Sequence, residues 1–232
     1  MPRPIKKRVK KKEVQTEVEV KDKLSELKSQ FREKQKAVMA YSIASGVIIV
    51  LLAGILYYRY WSGEKSRLAE NEAYNYYYGE HLKTPIARQE QLQKALDLFK
   101  KAYDDRKSPR VLLYIANSYF ELGKYDDALA SLNDFIKKDF HDQNLLPLAY
   151  KMMANVQLQK GNKEGALKTL NTLYTSPGNI YKDFALMESG RILESEGKAG
   201  EAAAKYRELT DKFKNSPFYE EAKAKLEVKK EG

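Results

Sequence analysis

The chain has 232 residues, with 42 Lys+Arg against 32 Asp+Glu, no cysteine, a formal net charge of +10 and a mean hydropathy of -0.65. The lack of cysteine excludes disulfides, thiol nucleophiles and thiolate metal sites. The charge does not argue for a nucleic-acid partner: the tail Met1–Lys36 holds 13 Lys+Arg against 6 Asp+Glu, so +7 of the +10 sits there and only +3 is spread over the remainder.

Seven of the tail's bases fall in its first twelve residues, around the cluster Lys6–Lys12 (KKRVKKK). Such a cluster can serve as a nuclear-localisation or nucleic-acid patch. Beside an apolar segment, topogenesis and attraction to anionic lipid headgroups account for it better. Residues 1–19 are charged and free of aromatics, and are expected to be partly disordered. Val20, Leu24, Leu27 and Phe31 fall at helical spacing, which predicts a short amphipathic helix within residues 20–36, lying on a membrane or pairing with a partner.

Ala37–Tyr58 (AVMAYSIASGVIIVLLAGILYY) is an uncharged run of 22 residues. As a helix it reaches roughly 33 Å, enough to cross a hydrocarbon core of about 30 Å. The run exceeds a signal-peptide core, and YYRYWSGEK follows it with no A-x-A cleavage pattern. Residues 37–60 therefore read as an uncleaved, single-pass signal anchor. The basic tail places residues 1–36 in the cytoplasm and residues 61–232 across the membrane. Tyr57, Tyr58, Tyr60 and Trp61 stand where an interfacial aromatic belt belongs. Ser42, Gly46 and Gly54 share a helix face, either as ordinary small residues of a span or as a place where another helix approaches closely.

Beyond the run, helical patterns alternate with sparse Gly and Pro, and no stretch alternates like a strand. Three segments align, beginning at Val111, Ala149 and Ala185. Small residues recur at Ala116, Ala154 and Gly190, turn glycines at Gly123, Gly161 and Gly197, and second-helix alanines at Ala128, Ala166 and Ala202. Each set is spaced by 38 and then 36 residues. This is the pattern of a helix hairpin: a small residue permits close packing, Gly ends the first helix in a left-handed cap, and Ala admits the second helix. A degenerate earlier unit is predicted from Glu72–Leu82 and Gln89–Tyr103, with an inserted loop near Pro85. A last amphipathic helix after Ser216-Pro217 would shield the end of an open solenoid. The expected fold is all-α, with a single transmembrane helix followed by about four helix pairs and a cap.

The repeat resembles the tetratricopeptide repeat, most clearly at Ala116, Tyr119, Gly123, Tyr125 and Ala128. The second segment departs from it, with Gln157 and Lys163 in place of the two aromatics, and the period is longer than the usual one, stretching the loops near Lys138–Leu146 and Tyr174–Tyr181. The whole layout is similar to the membrane-anchored periplasmic tetratricopeptide-like ancillary subunits of the Sec translocon: basic tail, one span, Arg59-Tyr60-Trp61, Ala73-Tyr74 opening the domain, then Ala166–Thr172 and the helix Gly190 to Gly197. That resemblance implies a bacterial inner-membrane protein with a periplasmic domain, linking translocon subunits and emerging, unfolded chains to periplasmic chaperones. The long, very basic tail departs from the family.

No catalytic constellation stands out, and the chain reads as a non-enzymatic interaction protein without a cofactor or metal. His81 and His141 are separated by a whole repeat and neither has an i+4 partner, so surface or capping roles explain them. Asp104-Asp105 and Asp126-Asp127 fall at helix ends, where capping explains them. Ala73–Glu80 (AYNYYYGE) reads as helix packing or as an exposed aromatic patch for a partner. Stacked hairpins create a concave surface lined by first helices. By register, its exposed positions are expected to be Leu113, Asn117, Phe120 and Glu121, then Lys151, Asn155, Leu158 and Gln159, then Met187, Arg191 and Glu194. Asn117 and Asn155 share a repeat position and could hydrogen-bond a peptide backbone. Lys151 with Asn155 resembles half of a carboxylate clamp, but Phe184 and Glu188 stand where the other half needs donors. Two other readings stay open: a scaffold for another cell-envelope machine, and a signalling protein acting through its tail.

Overall fold

The computed structural model describes residues 10–80, 86–138 and 144–227, with side chains from residue 19 onward. The expectations for residues 1–9, the loop at Pro85, His81, His141 and most of the stretch Lys138–Leu146 lie outside the described residues. Among the described residues there are nine α-helices and no strand: α1 (Lys10–Tyr78), α2 (Arg88–Asp105), α3 (Pro109–Glu121), α4 (Tyr125–Lys137), α5 (Leu145–Gln159), α6 (Lys163–Thr175), α7 (Lys182–Ser195), α8 (Ala199–Lys212) and α9 (Tyr219–Glu227). The chain divides into two compact units, Met1–Tyr60 and Trp61–Gly232.

In the first unit, α1 begins at Lys10, which corrects the expectation of disorder for residues 10–19. Lys, Glu and Gln are good helix formers, and no Gly or Pro interrupts the segment. Every residue from Ala37 to Tyr58 is exposed, and Gly46 and Gly54 face open space. The helix is long and apolar enough to cross a membrane.

The second unit is a stack of helix hairpins. Its first helix is the end of α1, which differs from the expected start at Glu72: the packing face begins ten residues earlier. Ser62, Ser66, Ala69, Ala73 and Tyr77 are buried along one face. Four of these are small, which lets α2 come close enough for Ser66 Oγ to donate to the Ala102 carbonyl at 2.9 Å, with Ser62 donating to the Asp105 carbonyl. The start of this α1 face departs from an apolar repeat pattern, with Ser62 and Ser66 on it, whereas the buried face of α2 is apolar throughout.

The three expected turn glycines are all left-handed, with φ of 72° at Gly123, 74° at Gly161 and 74° at Gly197. Each closes a Schellman motif. In the first, Gly123 N–H donates to the Phe120 carbonyl at 2.9 Å and Lys124 N–H to the Tyr119 carbonyl at 2.8 Å. Gly79 does the same at the end of α1, with φ of 71° and Glu80 N–H donating to the Asn75 carbonyl at 2.9 Å. The degenerate first hairpin thus keeps the turn chemistry of the others, with Gly79 as its counterpart in the sequence.

The interior follows the small-residue register. Ala116, Ala128, Ala154, Ala166 and Ala202 are all buried, and Phe99, Leu132, Leu170, Leu173, Leu186 and Leu209 fill the space between them. Each such large side chain contributes roughly 1.5–3 kcal/mol by leaving water. At Gly190 an added Cβ would collide with the ring of Tyr206, so the ring lies directly on the backbone of α7. The tyrosines of Ala73–Glu80 act mainly in packing. Tyr74 meets Tyr114 edge-on at 4.8 Å and Phe99 at 5.3 Å, while Phe99 stacks on Tyr114 at 5.2 Å. The last helix, α9, caps the stack, with Ala222 buried against α8.

Candidate functional site

A cleft of about 490 Å³ runs along the first helices of the stack, between the end of α1, α3 and α5. Arg110, Leu113, Tyr114 and Asn117 project from one face of α3, and Leu148, Lys151, Met152 and Asn155 from the matching face of α5. The i, i+3, i+4, i+7 spacing within each set puts one side of a helix on the cleft. Leu113 and Lys151, Tyr114 and Met152, and Asn117 and Asn155 are each 38 residues apart, so two successive repeats present the same positions. Tyr77 and Tyr78 close the end nearest α1.

Part of this wall is held by its own hydrogen bonds. Tyr77 Oη donates to the Glu121 carboxylate and accepts from Asn117 Nδ2. Arg88 Nη2 pairs with Glu121 Oε2 at 2.6 Å, while its Nη1 donates to the Tyr77 carbonyl. Burial, then the bond to Glu121, holds the Tyr77 phenol well above the usual tyrosine range. Tyr114 and Tyr78 share a hydroxyl contact at 2.8 Å, and burial followed by that contact pushes Tyr114 up to about 12. Tyr77 and Tyr114 are thus held further from ionisation than an ordinary tyrosine. Among the described residues that line the cleft, the formal charges are those of Arg110 and Lys151, and none is a carboxylate.

The groove positions expected from register fare unevenly. Asn155 lines the cleft, is half-buried and has no hydrogen bond to the described residues, so its amide is free to donate and accept. Asn117 lines the cleft too, but its amide is committed to Tyr77 and Glu121. The equivalence of the two asparagines in sequence is thus broken by Tyr77, a residue of the first hairpin. Lys151 holds its ammonium 4.5 Å from the centre of the Tyr181 ring and 5.1 Å from that of Phe184. The expectation of exposure is corrected for two residues. Leu113 is only 4% exposed, so it forms the floor of the cleft, and Met187 is 0% exposed and lies wholly in the core. Phe120 does not line the cleft, being half-buried with its ring 5.8 Å from that of Tyr125 at the α3–α4 turn.

Arg191 is also assigned differently. Its Nη2 donates to both carboxylate oxygens of Glu221 on α9, at 2.7 and 2.6 Å, and its Nη1 pairs with Glu188. Glu194, the next groove candidate on α7, accepts from Lys225 of α9 at 2.8 Å. That bond holds its carboxyl below the usual range. The third repeat therefore spends its groove-side charges on fastening the cap.

Arg110, Tyr114, Leu145, Leu148 and Met152 line the cleft without having been expected there. Arg110 and Tyr114 flank Leu113 on the same helix face, and a wider angular window about the predicted register would have included them. Tyr77 and Tyr78 gave no such signal, because their part in the cleft depends on where α1 ends relative to α3. Tyr57, Tyr58 and Tyr60 are exposed at the end of the first unit. Trp61 begins the second, with Lys65 Nζ 3.8 Å above its ring.

The model of the tetratricopeptide repeat-like domain family matches residues 39–230, which takes in most of the apolar run as well as the hairpins. The crystal structure of MamA protein is similar with a TM-score of 0.54 at 18% identity, over 72% of this chain and 81% of that one. The MamA RS-1 ArsTM double mutant gives 0.54 at 16% identity, over 72% and 86%. At such identities the likeness concerns the fold alone. No curated protein matches the chain significantly.

Proposed function

The chain belongs to the tetratricopeptide repeat-like domain family, and from that membership we propose that it is a membrane-tethered protein-interaction module whose cleft holds an extended segment of a partner. The observation that carries this reading is the cleft itself. It combines an apolar floor (Leu113, Leu148, Met152) with two cations and an Asn155 amide that has no partner among the described residues, and none of the described lining residues is a carboxylate. An extended chain brings backbone groups that the amide can meet and apolar side chains that the floor can cover. The candidate binding residues are Leu113, Lys151 and Asn155, joined by Arg110, Tyr114 and Met152.

Anchorage is assigned to Ala37–Tyr58. An apolar helix exposed on all sides has no partner among the described residues of its own unit, and a bilayer is the medium that would cover it. The basic tail supports an orientation with residues 1–36 cytoplasmic and the hairpins periplasmic. The finer reading places the protein at the Sec translocon of a bacterial inner membrane, linking emerging chains to periplasmic chaperones. Its support is the resemblance in layout: basic tail, span, Arg59-Tyr60-Trp61 and degenerate repeats.

The test is a photo-crosslinking residue at position 155 of the full-length chain in native membranes, followed by purification in mild detergent. Adducts to translocating chains, with translocon subunits recovered alongside, are the expected result. Removal of residues 1–61 should abolish that recovery. A chain that emerges alone under conditions that preserve the translocon would sink the Sec assignment. Absence of any adduct at position 155, with adducts formed from the solenoid's outer face instead, would sink the cleft.

A further inference from the structure

The first unit carries an apolar stripe for which the proposed function has no use. Val20, Leu24, Leu27 and Phe31 follow one another at steps of four, three and four residues, and are 51–70% exposed. At 3.6 residues per turn they share one face of α1. Lys21, Lys23, Lys28 and Lys34 stand within about a quarter-turn to either side of that face, while Asp22, Glu26 and Glu33 lie on the far side.

A lysine-flanked apolar stripe fits two kinds of cover, a bilayer surface or another helix. To lie on a bilayer, the stripe must run parallel to the surface, so the helix has to break before it enters the membrane. α1 has no such break. It is helical without interruption through Phe31 and Val38 into the apolar run, and neither Gly nor Pro occurs between Val20 and Ser45. A helix that leaves the membrane end-on carries Val20 roughly 25 Å beyond Ala37, at about 1.5 Å per residue. Phe31 then stands roughly 9 Å beyond Ala37, at the edge of the headgroups, and Leu27, Leu24 and Val20 lie farther out, beyond their reach.

A second copy is the simplest helix to consider. In heptad terms Leu24 and Phe31 take a positions and Val20 and Leu27 take d positions, which puts Lys23 at g and Lys28 at e. In a parallel pair, g of one chain faces the following e of its partner, so Lys23 would meet Lys28 and repel it. Charge complementarity requires the opposite sign. We infer that the stripe Val20–Phe31 docks an amphipathic helix of another protein, one whose apolar seam is flanked by Glu or Asp, on the tail side of the membrane. This inference rests on the reading that Ala37–Tyr58 spans a membrane.

The experiment uses the full-length chain in nanodiscs of phosphatidylcholine and two fluorescent peptides of four heptads with Leu at a and d. One carries Glu at e and g, the other Lys. Anisotropy should show saturable binding of the Glu peptide and none of the Lys peptide. Leu24→Ser with Leu27→Ser, at exposed positions, should abolish binding without loss of helicity. Lys23→Glu with Lys28→Glu should weaken the Glu peptide about tenfold and admit the Lys peptide, by the sum of four small ion-pair changes. Several results would overturn the inference: no binding of either peptide, equal binding of both, or binding indifferent to the stripe substitutions. Efficient disulfide formation between two Leu24→Cys chains would assign the stripe to a second copy. Peptide binding that is lost only when phosphatidylserine is added would assign it to the bilayer. Failure of the chain to enter nanodiscs would instead break the membrane reading, and the peptide measurement on detergent-solubilised chain would still decide the pairing.

Discussion

Leucine plays opposite parts in the two units of this chain. Leu51 and Leu52 in the apolar run are 61% and 54% exposed, whereas Leu132 and Leu170 in the hairpins are 0% exposed. The difference lies in the surrounding pattern. Around Leu132 apolar residues recur on one face, and a neighbouring helix covers that face. Around Leu51 they encircle the helix, and no arrangement of one partner helix could cover them all. A segment apolar on every side calls for an apolar medium, while a segment apolar on one side calls for a neighbour.

The largest effect that would sharpen this comparison comes from the same substitution in each unit. Leu132→Ala should cost about 2–5 kcal/mol of solenoid stability through the cavity it leaves, read as a fall in the thermal midpoint. Leu51→Ala should leave that midpoint unchanged. If both shift it equally, the units are not separate in the way their burial implies. Next comes Leu51→Arg. A charge at the centre of a spanning helix costs about 2.5–3.5 kcal/mol, so the variant should become extractable by alkaline carbonate, while a helix with no membrane role would tolerate it.

A smaller effect concerns the cap. The Lys225 ammonium lowers the folded-state pKa of Glu194, so this pair stabilises the docked α9 fully above the ordinary glutamate value of about 4.3. The contribution is lost as pH falls through the lower, folded value. Hydrogen exchange of α9 should therefore accelerate in acid before that of α3 and α5, and Arg191→Ala should produce the same release at neutral pH. Uniform exchange across these helices would argue against a separately fastened cap. The smallest effect is Ser118→Ala. The Ser118 hydroxyl is fully buried and has no hydrogen-bond partner among the described residues. Its removal should stabilise the solenoid by about 1 kcal/mol, measured by denaturant unfolding.

The repeat architecture was legible because its signals are local. A left-handed glycine at 123, 161 and 197 and a small residue at 116, 154 and 190 each express a constraint within one hairpin. The candidate site was legible only in part. Asn155 and Lys151 line the cleft from α5, but Met187, which stands one repeat after Lys151 at the same register, lies in the core. A modest rotation of a helix about its axis exchanges groove for core, and no local pattern records it.

The sequence by itself determined the apolar run, the charge asymmetry across it, the repeat period and the turns, since each depends on residues close together in the chain. Only the tertiary structure decided that the first hairpin borrows the end of α1. The same is true of Tyr77 reaching across 40 residues to occupy Asn117, and of Arg191 fastening α9 instead of facing the groove. Those outcomes depend on how neighbouring helices rotate and stack, through contacts between residues tens of positions apart.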